Sequence, residues 1–109
     1  MGRQDLIGRL EEAVLHAVLR LGANAYGVTI RKDVSERLGQ ERSFGAIYAT
    51  LDRLERKGYL SSRVGEATPE RGGRAKRYYR VEAPGERALS AAQAMNAAVQ
   101  GSFPEGALA

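Results

Sequence analysis

The sequence predicts a mainly α-helical domain closed by a small β-hairpin, and three observations carry that prediction. Apolar residues recur at three- and four-residue spacing in three successive segments between Leu6 and Lys57, the mark of helices that each bury one stripe. After Gly58 the period switches to alternation, twice, on either side of a loop holding Pro69, Gly72 and Gly73, which is the pattern of two strands joined by a turn. Beyond Pro84 helical spacing returns in an alanine-rich segment.

The first helix is predicted over Leu6–Leu21, with Leu10, Val14, Ala17, Val18 and Leu21 as its buried stripe. Leu15 and Leu19 project from the opposite side, so its middle is apolar nearly all round and that second side needs a cover: the C-terminal helix, another subunit, or both. His16 lies at the polar margin and reads as a structural histidine. Gly22 suits a left-handed cap, and Asn24 can open a second helix over Ala25–Leu38 with Ile30, Val34 and Leu38 inward, helped by Val28 or Tyr26. Ser43 is the natural N-cap of a third helix, "SFGAIYATLDRLERKG", which Gly58 closes after Arg56 and Lys57, cations well placed against the negative end of the helix dipole. Its stripe is Ile47, Leu51 and Leu54, with Phe44 beside them. In the strands, Leu60, Ser62 and Val64 share a face, as do Tyr79 and Val81. Pro84 is placed to be the first residue of a last helix running to about Val99, and "GSFPEGALA" lacks periodicity and reads as a flexible tail over 101–109.

Composition narrows the function. The 109 residues are 43% hydrophobic and 28% charged, ordinary for one soluble domain. A domain of this size buries roughly 60 to 70% of its unfolded surface, so a partner subunit would add a useful share of core. No run of about 18 apolar residues exists, and Arg3 and Asp5 are not followed by an apolar stretch, so neither a membrane span nor a signal peptide is expected and the location is read as cytoplasmic. With no Cys and one His, neither a metal nor another cofactor is expected. There is no Gly-rich phosphate loop and no His–carboxylate–nucleophile set, and Glu11, Glu12, Glu36, Glu41 and Glu86 read as solvated helix faces; catalysis is not expected.

The positive charge is concentrated. Between Arg42 and Arg80 stand ten Lys or Arg against four Asp or Glu, while the whole chain carries only +4. That field falls on the third helix and the hairpin, and three helices followed by a hairpin is the order of a winged helix-turn-helix domain. The third-helix face opposite the core carries Gly45, Ala46, Ala49, Arg53 and Arg56. A merely solvated face would favour Glu, Lys and Gln; one that begins small and ends basic suits a major groove, with backbone close to the bases and guanidinium groups at the margin. The bland alternative is that Arg53 and Arg56 pair with Glu55 and Asp52 on the same helix. The segment "TPERGGRAKRYYRV" lets the wing bring Arg71 or Arg74 to an adjacent minor groove and Lys76, Arg77 and Tyr78 to phosphates. The candidate DNA-binding set is therefore Ser43, Gly45, Ala46, Tyr48, Ala49, Thr50, Arg53, Arg71, Gly73, Arg74, Lys76, Arg77 and Tyr78. Small residues in the last helix let helices approach closely, which makes Leu15, Leu19, Leu89, Ala92, Met95 and Val99 a candidate homodimer interface. Residues 1–82 then form the DNA-binding domain and 83–100 a dimerisation helix.

Three blocks, "LEEAVLHAVLRLGANAYGVTI", "SFGAIYATLDRLERKGYL" and "GGRAKRYYRV", resemble successive blocks of the PadR family of bacterial transcriptional regulators, over about Leu6 to Leu89. The resemblance implies a dimeric repressor of double-stranded operator DNA, with the third helix in the major groove and the wing on the backbone or minor groove. The C-terminal helix then dimerises against the partner's first helix. It makes Tyr48 a phosphate contact and Gly73 to Tyr79 the wing motif. Some relatives stack aromatic effectors between subunits on a tryptophan; this chain has no Trp, and an effector stays open. So does a winged-helix module that holds protein or RNA instead, although an A-form major groove would not admit the helix.

Overall fold

The computed structural model describes residues 6–65 and 75–101, with side chains through Ala98. Helix α1 (Arg9–Leu21) leads through a 3-10 turn (Gly22–Asn24) into α2 (Gly27–Leu38) and α3 (Phe44–Arg56); an antiparallel hairpin of β1 (Leu60–Val64) and β2 (Arg77–Val81) follows, and α4 (Ala83–Gly101) ends the chain. The expected order of elements is thus the observed one.

The helix ends differ from expectation for local reasons. Helix α1 starts three residues after Leu6, where the Gly8 N–H donates to Glu11 Oε1 at 2.9 Å and satisfies one of the orphan donors of the first turn. Asn24 does not cap α2. The 3-10 turn consumes it, and the Thr29 hydroxyl instead accepts from the Tyr26 N–H at 3.1 Å and donates to the Asn24 carbonyl at 2.6 Å. Ser43 does cap α3, its hydroxyl accepting from the Ala46 N–H at 3.1 Å, an interaction worth about 1 kcal/mol. Gly58, at φ 79°, turns the chain from α3 into β1 in a conformation that a side chain would strain.

One core joins all elements. Val14, Ala17 and Val18 of α1 meet Ile30 and Val34 of α2, Ile47, Leu51 and Leu54 of α3, Leu60, Tyr79 and Val81 of the hairpin, and Leu89 of α4. Truncating any large member to Ala costs about 2–5 kcal/mol. Phe44, read as part of the α3 stripe, is exposed: the Arg31 guanidinium lies 4.4 Å from its ring centroid, and Tyr48 stacks on it.

The second apolar side of α1 is covered within the chain at Leu15 but not at Leu19. Helix α4 lies along it, with Gln93 hydrogen-bonded to His16 at 2.8 Å and Asn96 to Glu12. Leu15 is 0% exposed and Leu89 4%, so neither offers a surface to another subunit, and both leave the candidate interface. Leu19 and Met95 remain 47% and 48% exposed, Ala92 is half-buried, and the Val99 side chain lies outside those described. The hairpin pairs Leu60 with Val81 and Val64 with Arg77; its burial fades toward the tip, where Val64 is exposed. It is also stitched to the start of α2, because the Tyr79 N–H donates to the Ala25 carbonyl at 2.9 Å and Tyr26 bridges to Tyr78.

Candidate nucleic-acid interface

Helix α3 turns Ile47, Thr50, Leu51 and Leu54 inward, which leaves Gly45, Ala49, Asp52 and Arg56 on the outward ridge, with Ala46 and Arg53 on one flank and Tyr48 on the other. Gly45, Ala49 and Arg53 are exposed and no described segment lies over them. Asp52 was not anticipated on this ridge; it binds Arg56 at 2.6 Å across one helical turn, which is the pairing the bland alternative proposed for Arg56. Thr50 is a correction. It is 1% exposed and its hydroxyl donates to the Ala46 carbonyl at 2.8 Å, the back-bonding usual for a threonine inside a helix, so it cannot reach a groove. Ser43 is exposed but spends its hydroxyl as the helix cap.

Arg53 does not pair with Glu55. Its Nε donates to Glu11 Oε2 on α1 at 3.0 Å, and Lys57 Nζ reaches the same oxygen at 3.2 Å. Glu11 itself is only 9% exposed at the side chain, against 51% for Arg53. Burial pushes the Glu11 carboxyl up, but the Gly8 N–H, Arg53 and Lys57 together outweigh it and hold the group below the usual glutamate value. Glu11 is therefore not the solvated carboxylate that sequence periodicity suggests. Position 11 sits at the edge of the α1 stripe, and its cationic partners lie 42 and 46 residues downstream, beyond any local pattern.

Tyr48 is held rather than loose. Its hydroxyl end rests against Gly27 at the start of α2, where a Cβ would collide with the ring, so the glycine's absent side chain sets the tyrosine's direction. In the wing, Arg71, Gly73 and Arg74 lie outside the described residues. At its base, Lys76 Nζ sits 4.1 Å from the Tyr26 ring centroid, Tyr26 meets Tyr78 edge-to-face at 5.6 Å, and the Arg63 guanidinium is 5.1 Å from the Tyr78 ring. This pair of rings flanked by two cations anchors the wing to the start of α2. Arg77 points outward with its guanidinium on Ser62 Oγ at 3.0 Å, and Ser62 donates to Glu55 of α3 at 2.7 Å. The wing base and α3 thus form one connected surface. Among the described residues no group of three or more His, Cys, Asp or Glu could hold a metal ion, and no helix is long and apolar enough to cross a membrane.

A capped third helix with a bare outer ridge, beside a hairpin fastened to the second helix, defines the winged helix-turn-helix class. Solved structures agree on the fold. A PadR-like transcription factor from Bacteroides fragilis is 24% identical and superposes with a TM-score of 0.69 over 85% of this chain and 84% of that one. A PadR family transcription regulator from Clostridium difficile is 22% identical, with a TM-score of 0.69 over 88% and 95% of the two chains. One from Eggerthella lenta is 24% identical, with a TM-score of 0.65 over 82% and 75%. A search of curated protein sequences returns no match. The family model for the PadR-like transcriptional regulators matches residues 14–91, and the chain belongs to that family. It is a DNA-binding transcription regulator.

Proposed function

We propose that the protein acts as a cytoplasmic homodimeric repressor, binding by contact and catalysing nothing, with residues 1–82 as the DNA-binding unit and 83–100 as the dimerisation helix. Helix α3 enters the major groove through Gly45, Ala46 and Ala49, Arg53 reads a base edge, and Tyr48 meets a phosphate. The wing, with Arg71, Gly73, Arg74, Lys76, Arg77 and Tyr78, follows the backbone into the neighbouring minor groove. The observation that carries this reading is the open outward ridge of α3, small at Gly45 and Ala49 and ending in guanidinium groups. Side chains no larger than methyl let the helix backbone approach base edges.

The dimer assignment draws on α4. From Gln93 to Ala98 every residue is exposed, and Met95 of α4 and Leu19 of α1 are exposed large apolar groups. A two-fold pairing would cover both patches at once.

Titrating a duplex selected from the source genome against salt tests the DNA reading. The logarithm of the binding constant should fall linearly with the logarithm of salt concentration, at a slope of about 0.9 per phosphate neutralised and several phosphates in all. A flat response, or equal affinity for RNA duplex, overturns it.

A further inference from the structure

A buried carboxylate seldom serves a surface arginine without a reason. Glu11 Oε1 accepts from the Gly8 N–H at 2.9 Å, and its Oε2 accepts both Arg53 Nε at 3.0 Å and Lys57 Nζ at 3.2 Å. Arg53 is thereby gripped by its Nε edge. Of its terminal nitrogens, Nη2 makes only a long contact of 3.5 Å to Thr50 Oγ1, and Nη1 makes none among the described residues. Those two nitrogens are the ones that bind guanine O6 and N7 end-on. An exposed arginine without such a grip samples many rotamers and reaches any nearby phosphate; a gripped one presents its fork in one direction before DNA arrives.

Resting on the DNA reading above, we infer that Glu11 is a positioning residue that sets base preference: it holds Arg53 by its Nε edge and so fixes the orientation of the guanidinium fork. The first turn of α1 is thus part of the specificity apparatus although it touches no base. Charge argues against a simpler role as an ion pair for stability alone. Lys57 already neutralises Glu11, so the contact to Arg53 is surplus to that need and constrains the arginine instead.

The test compares binding to the best duplex selected from a random library with binding to its single-base variants. Wild type should discriminate at the Arg53 position by about 10- to 100-fold, the range of a bidentate arginine–guanine pair. Arg53→Ala should bring that ratio below about 3-fold. Glu11→Gln should do the same while leaving affinity for random duplex equal or higher, because one glutamine oxygen cannot serve Gly8, Arg53 and Lys57 together. In the double variant the ratio should fall no further than in Arg53→Ala. Lys57→Met disturbs the same cluster without freeing Arg53 and should keep full discrimination, an outcome a merely structural Glu11 would not give. If Glu11→Gln does not fold, Glu11→Asp, which keeps the charge but withdraws it by one methylene, should show the same loss. Full discrimination in the folded Glu11 variant alongside its loss in Arg53→Ala overturns this inference alone. An unchanged ratio in Arg53→Ala overturns the base-reading role of α3 and the Glu11 inference with it.

Discussion

Two stretches of this molecule present small side chains on a bare helix, and they differ in what borders them. On α3, Gly45 and Ala49 lie between Arg53, Arg56 and Tyr48; on α4, Ala94, Ala97 and Ala98 lie beside Met95, with no charged residue between Arg87 and Gly101. Small residues say only that something can come close. The border decides what: cations beside a bare ridge favour a polyanion, whereas apolar groups beside one favour another helix.

That contrast can be broken by charge. Ala49→Glu places a carboxylate where the phosphates and base edges must come, so affinity for duplex should drop more than about 100-fold, while thermal unfolding stays within about 0.5 kcal/mol of wild type because the site is exposed. Gel-shift titration and calorimetry would check both halves; retained binding would remove α3 from the groove. A smaller effect is expected on the other ridge. Met95→Glu should convert dimers to monomers in sedimentation without unfolding the domain, whereas Leu15→Glu, which buries an unpaired charge in the core, should unfold it. A dimer unmoved by Met95→Glu would shift the interface elsewhere.

The smallest effect concerns anchorage: α3 is tied to α1 through a buried carboxylate, Glu11, whereas the far half of α4 is tied only by the exposed contacts of Gln93 and Asn96. Because the folded protein holds the Glu11 carboxyl below its usual value, the group contributes stability above the normal glutamate range, lost as pH falls through its depressed folded value. The unfolding free-energy gap between wild type and Glu11→Gln, about 1–2 kcal/mol near neutral pH, should therefore close below about pH 4. Urea unfolding at several pH values would show it, and a gap independent of pH would contradict the paired-carboxylate assignment.

Much of the fold was legible because its signals are local. The Ser43 cap, the Gly58 turn and the change from helical to alternating period each lie within a few residues of the feature they specify. The ridge of α3 was legible for the same reason, since a helical wheel needs only one helix. Glu11 was not, because its meaning depends on α3 folding back against the start of α1. The stack of Lys76, Tyr26, Tyr78 and Arg63 was equally hidden, because no local spacing says that the base of the wing will close on Tyr26 at the start of α2.

By itself, then, the sequence determined the order of elements, the Ser43 cap, the Gly58 turn, and the direction each side chain takes around its own axis, since backbone geometry and periodicity are set by near neighbours. Only the tertiary structure decided what stands at the end of each direction. Leu15 and Leu89 point to α1–α4 packing rather than to another subunit, Thr50 points into its own helix and core, and Glu11 points to two cations. Burial and pairing belong to whatever distant segment arrives there, and a wheel drawn for one helix cannot contain it.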